Sequence, residues 1–313
     1  MKRRKKVNKT ERTSGPSWKK ARLVYARHAK KLLRRQGVIG VDLGIKRRRG
    51  RLVAGPCIRV HVERKITVQG LAKARMLPKS IEGVPVDVVE ATFSLRQACP
   101  SSASGHRGYI DPLVGGCSIG RFGETQFGTL GAIAVDANGD TGALTCAHVC
   151  HDGDTVVQPH RSGPDVGDVT IEVESSDADA SFARLNGTRS ALAEVLNYGA
   201  VSDTPLDIDL SDLPLSVELV GGCSGQTSGK VIATDFQGWV DVGDGNQRFV
   251  KGMLSIEPAG GGVFARGGDS GAGILKGQRF VGLLFAAAQV ALGGKGLATP
   301  MSRVLSRLGV KLL

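Results

Sequence analysis

Aromatic side chains are scarce: nine Phe, three Tyr and two Trp make up 4% of the 313-residue chain. With 44 glycines beside them, this scarcity argues against a helical bundle and for many turns joining short strands. Long apolar runs are missing as well. The longest, Phe280 to Ala288, is too short to cross a bilayer as a helix. No apolar stretch of signal-peptide length follows the charged N-terminus, so a cytoplasmic location is the default expectation. Six cysteines (Cys57, Cys99, Cys117, Cys146, Cys150 and Cys223) are too sparse for a disulfide scaffold. Free thiols are expected, with one bridge beside His148 as the alternative. No internal repeat with a period of roughly 20–50 residues is present, which excludes solenoids and arrays.

Acidic residues are nearly absent from residues 1–52, where 20 Lys and Arg face only Glu11 and Asp42, a net of +18. The other 261 residues carry 22 basic and 27 acidic side chains, a net of −5. The formal charge of +13 therefore belongs to a terminal arm on a mildly acidic body. Residues 1–16 have a polar, basic pattern typical of disorder. From Ser17 to Gln36 the residues Trp18, Ala21, Tyr25, Ala29 and Leu32 form one stripe, which predicts an amphipathic helix. Two readings stay open for the basic residues 1–51: a solvated surface, or a footprint for nucleic acid or another anionic surface.

Residues 37–95 read as a small α+β domain. Val38–Ile45, Cys57–Val62 and Val84–Ala91 have strand character, Lys46 to Arg51 form a basic hairpin, and Thr67–Met76 has helical character. His61 sits in an alternating strand and reads as structural. Residues 96–112 form a Ser/Gly/Pro-rich linker. Beyond it come short β-rich segments: Thr129–Val135, Asp154–Gln158, Val166–Val173, Val217–Val220, Lys230–Thr234, Phe249–Ile256 and Phe280–Phe285. Their spacing predicts a mainly β body of two barrels or sandwiches joined through residues 188–213, with Ser302–Leu308 as a closing helix.

Two segments carry chemistry. One is Gly267-Gly268-Asp269-Ser270-Gly271-Ala272-Gly273, the other Leu144-Thr145-Cys146-Ala147-His148. A serine hydroxyl is a poor nucleophile at neutral pH and needs a base to take its proton. It also needs fixed donors for the oxyanion that forms on the substrate carbonyl. Glycines flanking Ser270 suit a strained turn that exposes the hydroxyl and aims backbone N–H groups at one point. His148 is the expected base. A carboxylate must hold its ring, and Asp179, in Asp-Ala-Ser-Phe-Ala, is the better candidate, with Asp177 the rival. This chemistry calls for no cofactor or metal.

In the order His148, Asp179, Ser270, these residues resemble the trypsin- and chymotrypsin-like serine peptidases. More narrowly, the chain looks like a bacterial branch with an N-terminal αβ extension, related to the plant NARROW LEAF protein. Further carriers are Val156-Val157-Gln158-Pro159, Gly225-Gln226-Thr227-Ser228-Gly229 and Gly282-Leu283-Leu284-Phe285-Ala286. The resemblance implies a double antiparallel β-barrel, with a first barrel at about 113–187 and a second at about 214–313. It also implies a serine endopeptidase acting on polypeptides through an acyl-enzyme, with the amides of Gly268 and Ser270 as oxyanion hole.

Departures from the family pattern set further expectations. Cys146 and Cys150 flank His148 at an altered spacing. Leu113-Val114-Gly115-Gly116 resembles an activated zymogen terminus but is internal and follows Pro112. Asp269 then needs another partner, for which Arg266 is the candidate. Phe264 stands six residues before the serine, where trypsin-like enzymes place an aspartate. That predicts preference for small or apolar residues. Phe285 replaces the serine expected on the substrate-pairing strand. The rival readings are a zinc site at Cys146, His148, Cys150 and His151, and an inactive or self-cleaving peptidase-fold module with a binding role.

Overall fold

Short runs of β-branched and small residues form strands where one or both faces can be buried, and glycine turns end them. The computed structural model describes residues 15–48, 51–66, 76–95, 99–101, 105–288 and 294–313. The architecture is mainly β, with two antiparallel barrels behind a basic helix and a small α+β unit. The first barrel is an eight-stranded sheet in which Ala132–Val135, Thr141–Thr145, Asp179–Leu185 and Asp165–Glu174 are consecutive neighbours. Its core is built on Ile119, Leu130, Leu144, Val156 and Phe182, all fully buried. In the second barrel, Leu215–Gly221 pairs with both Gly273–Lys276 and Gly225–Gly243, which closes the ring of strands.

The predicted segments Lys230–Thr234 and Phe249–Ile256 belong to one long hairpin, Gly225–Gly243 and Asn246–Pro258. Register shifts between Val231 and Gln237 mark bulges, which bend strands. The outer half of the hairpin leaves the barrel, and Gln237 and Gly238 pair with Val41 and Gly40 of the strand Val38–Arg48. That strand pairs antiparallel with Arg51–Val62, which pairs in parallel with Val84–Glu90. The α+β unit is thus hydrogen-bonded into the second-barrel sheet. The helix spans Trp18–Leu33, with the Ser17 side chain accepting the Lys20 N–H. Of its predicted stripe, Ala21, Tyr25, Ala29 and Leu32 are buried in one core with Val41 and Ile58, and Trp18 packs half-buried against it. The helix expected at Thr67–Met76 lies, but for Met76, outside the described residues. The closing helix is Met301–Leu308.

The cysteines depart from the expectation of free thiols. Cys99 and Cys223, 124 residues apart, form a disulfide, whereas Cys57, Cys117, Cys146 and Cys150 are free and buried. The pairing follows from tertiary packing. The linker backbone at Gly105 lies directly on that of Gly222 and Cys223, a proximity that sequence spacing does not reveal. Among the described residues, no helix is long and apolar enough to cross a membrane.

A charged network seals the seam between the α+β unit and the hairpin. The Asp42 carboxylate, wholly buried, accepts from Ser255 Oγ at 2.7 Å and faces His61 Nε2 at 2.8 Å and Arg59 at 3.5 Å. Burial alone would raise its pKa, but Arg59 and His61 prevail and hold it below the usual carboxylate range. Removing one partner of a buried pair strands the other charge. Arg59→Met is therefore expected to lower stability by about 3–5 kcal/mol in urea unfolding. A loss below about 1 kcal/mol would place this network outside the structural core.

Candidate active site

The site begins with strand register. Thr141–Thr145 pairs with Asp179–Leu185 so that Leu144 opposes Phe182 and Thr145 opposes Ser181. The chain then turns tightly, with the N–H groups of Val149 and Cys150 donating to Cys146 O, and the turn carries His148 over the start of the neighbouring strand. Asp179 Oδ1 lies 2.8 Å from His148 Nδ1 and accepts the His148 backbone N–H at 3.3 Å. A carboxylate can only accept, so this contact assigns the ring proton to Nδ1. His148 Nε2 is buried and has no hydrogen-bond partner among the described residues. Asp177 is turned elsewhere, accepting from Arg307 and from Ser175 Oγ.

Arg248, which no sequence motif marks, reaches this pair from the long hairpin. Its guanidinium donates to Asp179 Oδ2 and to Glu174, and lies 5.0 Å from the centre of the Phe285 ring. Phe285 in turn meets the His148 ring edge-on at 5.8 Å. Asp179 is only 1% exposed. Burial pushes its pKa upward, but His148 and Arg248 outweigh that cost and hold the carboxyl well below its ordinary range.

The serine loop is fastened to both barrels. Gly268 and Gly271 have φ of +92° and +88°, a region that L side chains rarely adopt. A Cβ on Gly268 would also fall 2.6 Å from the Phe127 ring. Thr129 N–H donates to Ser270 O at 2.8 Å, Thr129 Oγ1 to Gly268 O at 2.9 Å, and Gly271 N–H to Leu284 O at 2.9 Å. The amides of Asp269 and Ala272 are also committed to backbone oxygens. Those of Gly268 and Ser270 have no acceptor among the described residues. His148, Ser270, Gly268, Phe127, Arg121 and Leu95 line one cleft of about 410 Å³.

Asp269 points inward and accepts three backbone amides, from Cys223 at 3.0 Å, Ser224 at 2.8 Å and Arg266 at 2.9 Å. Arg266 therefore serves it through its main chain. Leu113 N–H donates to Ser190 O, so the zymogen-like segment plays no part at Asp269. Phe264 is fully buried in the second-barrel core, its carbonyl accepting from Thr227 Oγ1. Phe285 is fully buried too, behind the histidine. The four residues considered for zinc are not gathered. Cys146 and His148 group with Asp179, while His151 groups with Glu172 and Glu174. Burial pushes the Cys146 thiol far up, and its Sγ donates to Leu284 O; the Cys150 thiol is pushed up to about 12.

The folded pKa values of Asp179 and Asp42 lie below the unfolded value of about 3.9, so their stabilisation is present above that pH. It is lost as pH falls through the folded values. Thermal melting temperature is expected to fall steeply below about pH 4, with a shallower slope in that acid range for Asp179→Asn. An identical acid slope in that variant would contradict this assignment.

The family model of the NARROW LEAF 1 N-terminal domain matches residues 22–90. Over 248 residues the chain is 29% identical to Protein NARROW LEAF 1 of Oryza sativa subsp. japonica, covering 65% of this chain and 42% of that protein. The chain thus spans less than half of that relative's length. Thermobifida fusca Protease A superposes with a TM-score of 0.51 at 22% identity, covering 64% of this chain and 97% of that one. Cellulomonas bogoriensis chymotrypsin does so with a TM-score of 0.50 at 22% identity, over 64% and 97%. Such identities speak to fold and not to activity. The chain joins a region matching the NARROW LEAF 1 N-terminal domain to a double barrel with the fold of chymotrypsin-like serine proteases.

Proposed function

We propose that this protein is a serine endopeptidase in which Ser270 attacks the scissile carbonyl. His148 Nε2 takes the hydroxyl proton and later passes it to the leaving amine, through an acyl-enzyme on Ser270. Asp179 keeps the ring proton on Nδ1 and stabilises the imidazolium as it forms. The amides of Gly268 and Ser270 receive the oxyanion, a contribution of about 3–4 kcal/mol per donor in related chemistry. The observation that carries this reading is that a carboxylate-anchored imidazole with an unengaged Nε2 lines the same cleft as Ser270, with the amides of Gly268 and Ser270 uncommitted among the described residues.

The substrate is a polypeptide on this reading. The same arrangement supports ester hydrolysis with activated probes, because the tetrahedral intermediate is similar. The experiment is labelling with a fluorophosphonate probe, which reports an activated serine directly. Wild-type protein should form one adduct at Ser270, and Ser270→Ala should form none. His148→Ala should label at least about 10³-fold more slowly. Equal labelling of wild type and Ser270→Ala would refute the assignment.

A further inference from the structure

We propose that Arg248 is a positioning residue for the histidine–carboxylate pair, engaging the Asp179 oxygen that His148 does not. The inference rests on the peptidase reading of the site. Of the two Asp179 oxygens, Oδ1 is engaged by His148. Oδ2 is engaged by Arg248. Phe285, next to this pair, has no donor to offer the carboxylate. Arg248 lies over the Phe285 ring at 5.0 Å, and that ring meets His148 edge-on at 5.8 Å. One side chain thus braces the carboxylate directly and the imidazole through Phe285. Glu174 holds the guanidinium from its other side, and Arg248 is itself only 18% exposed.

The arrangement has an electrostatic consequence. The charged and titratable groups around His148 are Asp179, Arg248 with Glu174 behind it, Arg121 across the cleft and the Cys146 thiol in its own turn. Arg248 is the cation that compensates Asp179. Without it, the buried pair binds a proton more tightly, whichever member holds it. The test is an NMR titration of the His148 ring in the Ser270→Ala background, which reads the pair whether or not the protein cleaves peptides. Arg248→Met, which keeps the apolar stem, should raise the apparent pKa of the pair by about 0.5–1 unit, and Arg248→Lys should return it part of the way. In active protein, the acid limb of the labelling rate should move up with it. An apparent pKa that stays put or falls in folded Arg248→Met would overturn the proposal.

A separate observation carries a second inference. We infer that the segment Phe93–Leu95 occupies the strand edge that an extended substrate needs, so that the α+β unit blocks its own active site. This too rests on the peptidase reading. Phe93 and Ser94 pair antiparallel with Ala288 and Ala287, at the end of the strand Arg279–Ala288 that carries Phe285. Ser94 also pairs with Asp241 of the long hairpin, and Leu95 N–H donates to Asp241 O at 3.0 Å. Phe93 anchors the segment, 3% exposed and packed edge-on against Phe236 at 5.4 Å. Leu95 and Cys99 both line the cleft with His148 and Ser270, and Cys99 is bonded to Cys223. This pairing takes up the edge at Ala287 and Ala288, where a peptide strand would otherwise add.

Two probes separate this block from the chemistry. A small fluorophosphonate needs only the serine, whereas a tetrapeptide phosphonate needs the strand edge as well. Phe93→Ala and, independently, Leu95→Pro should each raise the peptide probe's rate by about tenfold or more relative to the small probe. An unchanged ratio in both variants would overturn the block while leaving the peptidase reading intact. Failure of the small probe on wild type would count against the peptidase reading itself.

Discussion

A carboxylate with almost no access to water is the constraint around which the site is organised. Asp179 is 1% exposed, and such a charge persists in a folded chain only if cations and donors replace its hydration. One replacement comes from the first barrel, where the Thr145–Ser181 register lays the His148 turn over Asp179. The other comes from Arg248, in the outer half of the long hairpin. The ionised aspartate therefore joins the first barrel to that hairpin, and both hold it beside His148.

The hairpin that supplies Arg248 does more than close a barrel. Its inner half completes the ring of the second barrel, and its outer half pairs with the strand Val38–Arg48. The seam is reinforced by Asp42, Arg59, His61 and Ser255, all buried. The outer half also pairs with Ser94 through Asp241, beside the strand Arg279–Ala288. One element is thus shared by the α+β unit, the barrel and the His148–Asp179 pair, so the N-terminal unit and the candidate site are mechanically continuous.

Much of the candidate site was legible in the sequence, because its residues stand in local patterns. His148 and Ser270 stand in short glycine- and alanine-rich turns of the kind proposed for a base and a nucleophile, and Asp179 opens a buried strand. The stripe of the N-terminal helix was legible for the same reason, since helical periodicity is a local property. What depended on long-range packing was not. Arg248 is 69 residues from Asp179, and Cys99 is 124 from Cys223. Phe264 occupies the sequence position of a pocket base but lies in the core, and Asp269 is satisfied by main-chain amides that no side-chain motif announces. Strands such as Thr141–Thr145 and Gly273–Lys276 were faint because so few residues show little alternation.

The proposed reaction depends on His148 and Ser270 acting across one cleft, with the two uncommitted amides facing the charge that develops. The most direct measurement is a crystal structure of the phosphonylated protein, in which the tetrahedral phosphorus mimics the intermediate. The expected result is phosphorus bonded to Ser270 Oγ, its oxygen within hydrogen-bond reach of the Gly268 and Ser270 N–H groups, and His148 Nε2 facing the adduct. An adduct on another residue, or a phosphoryl oxygen turned away from both amides, would contradict it.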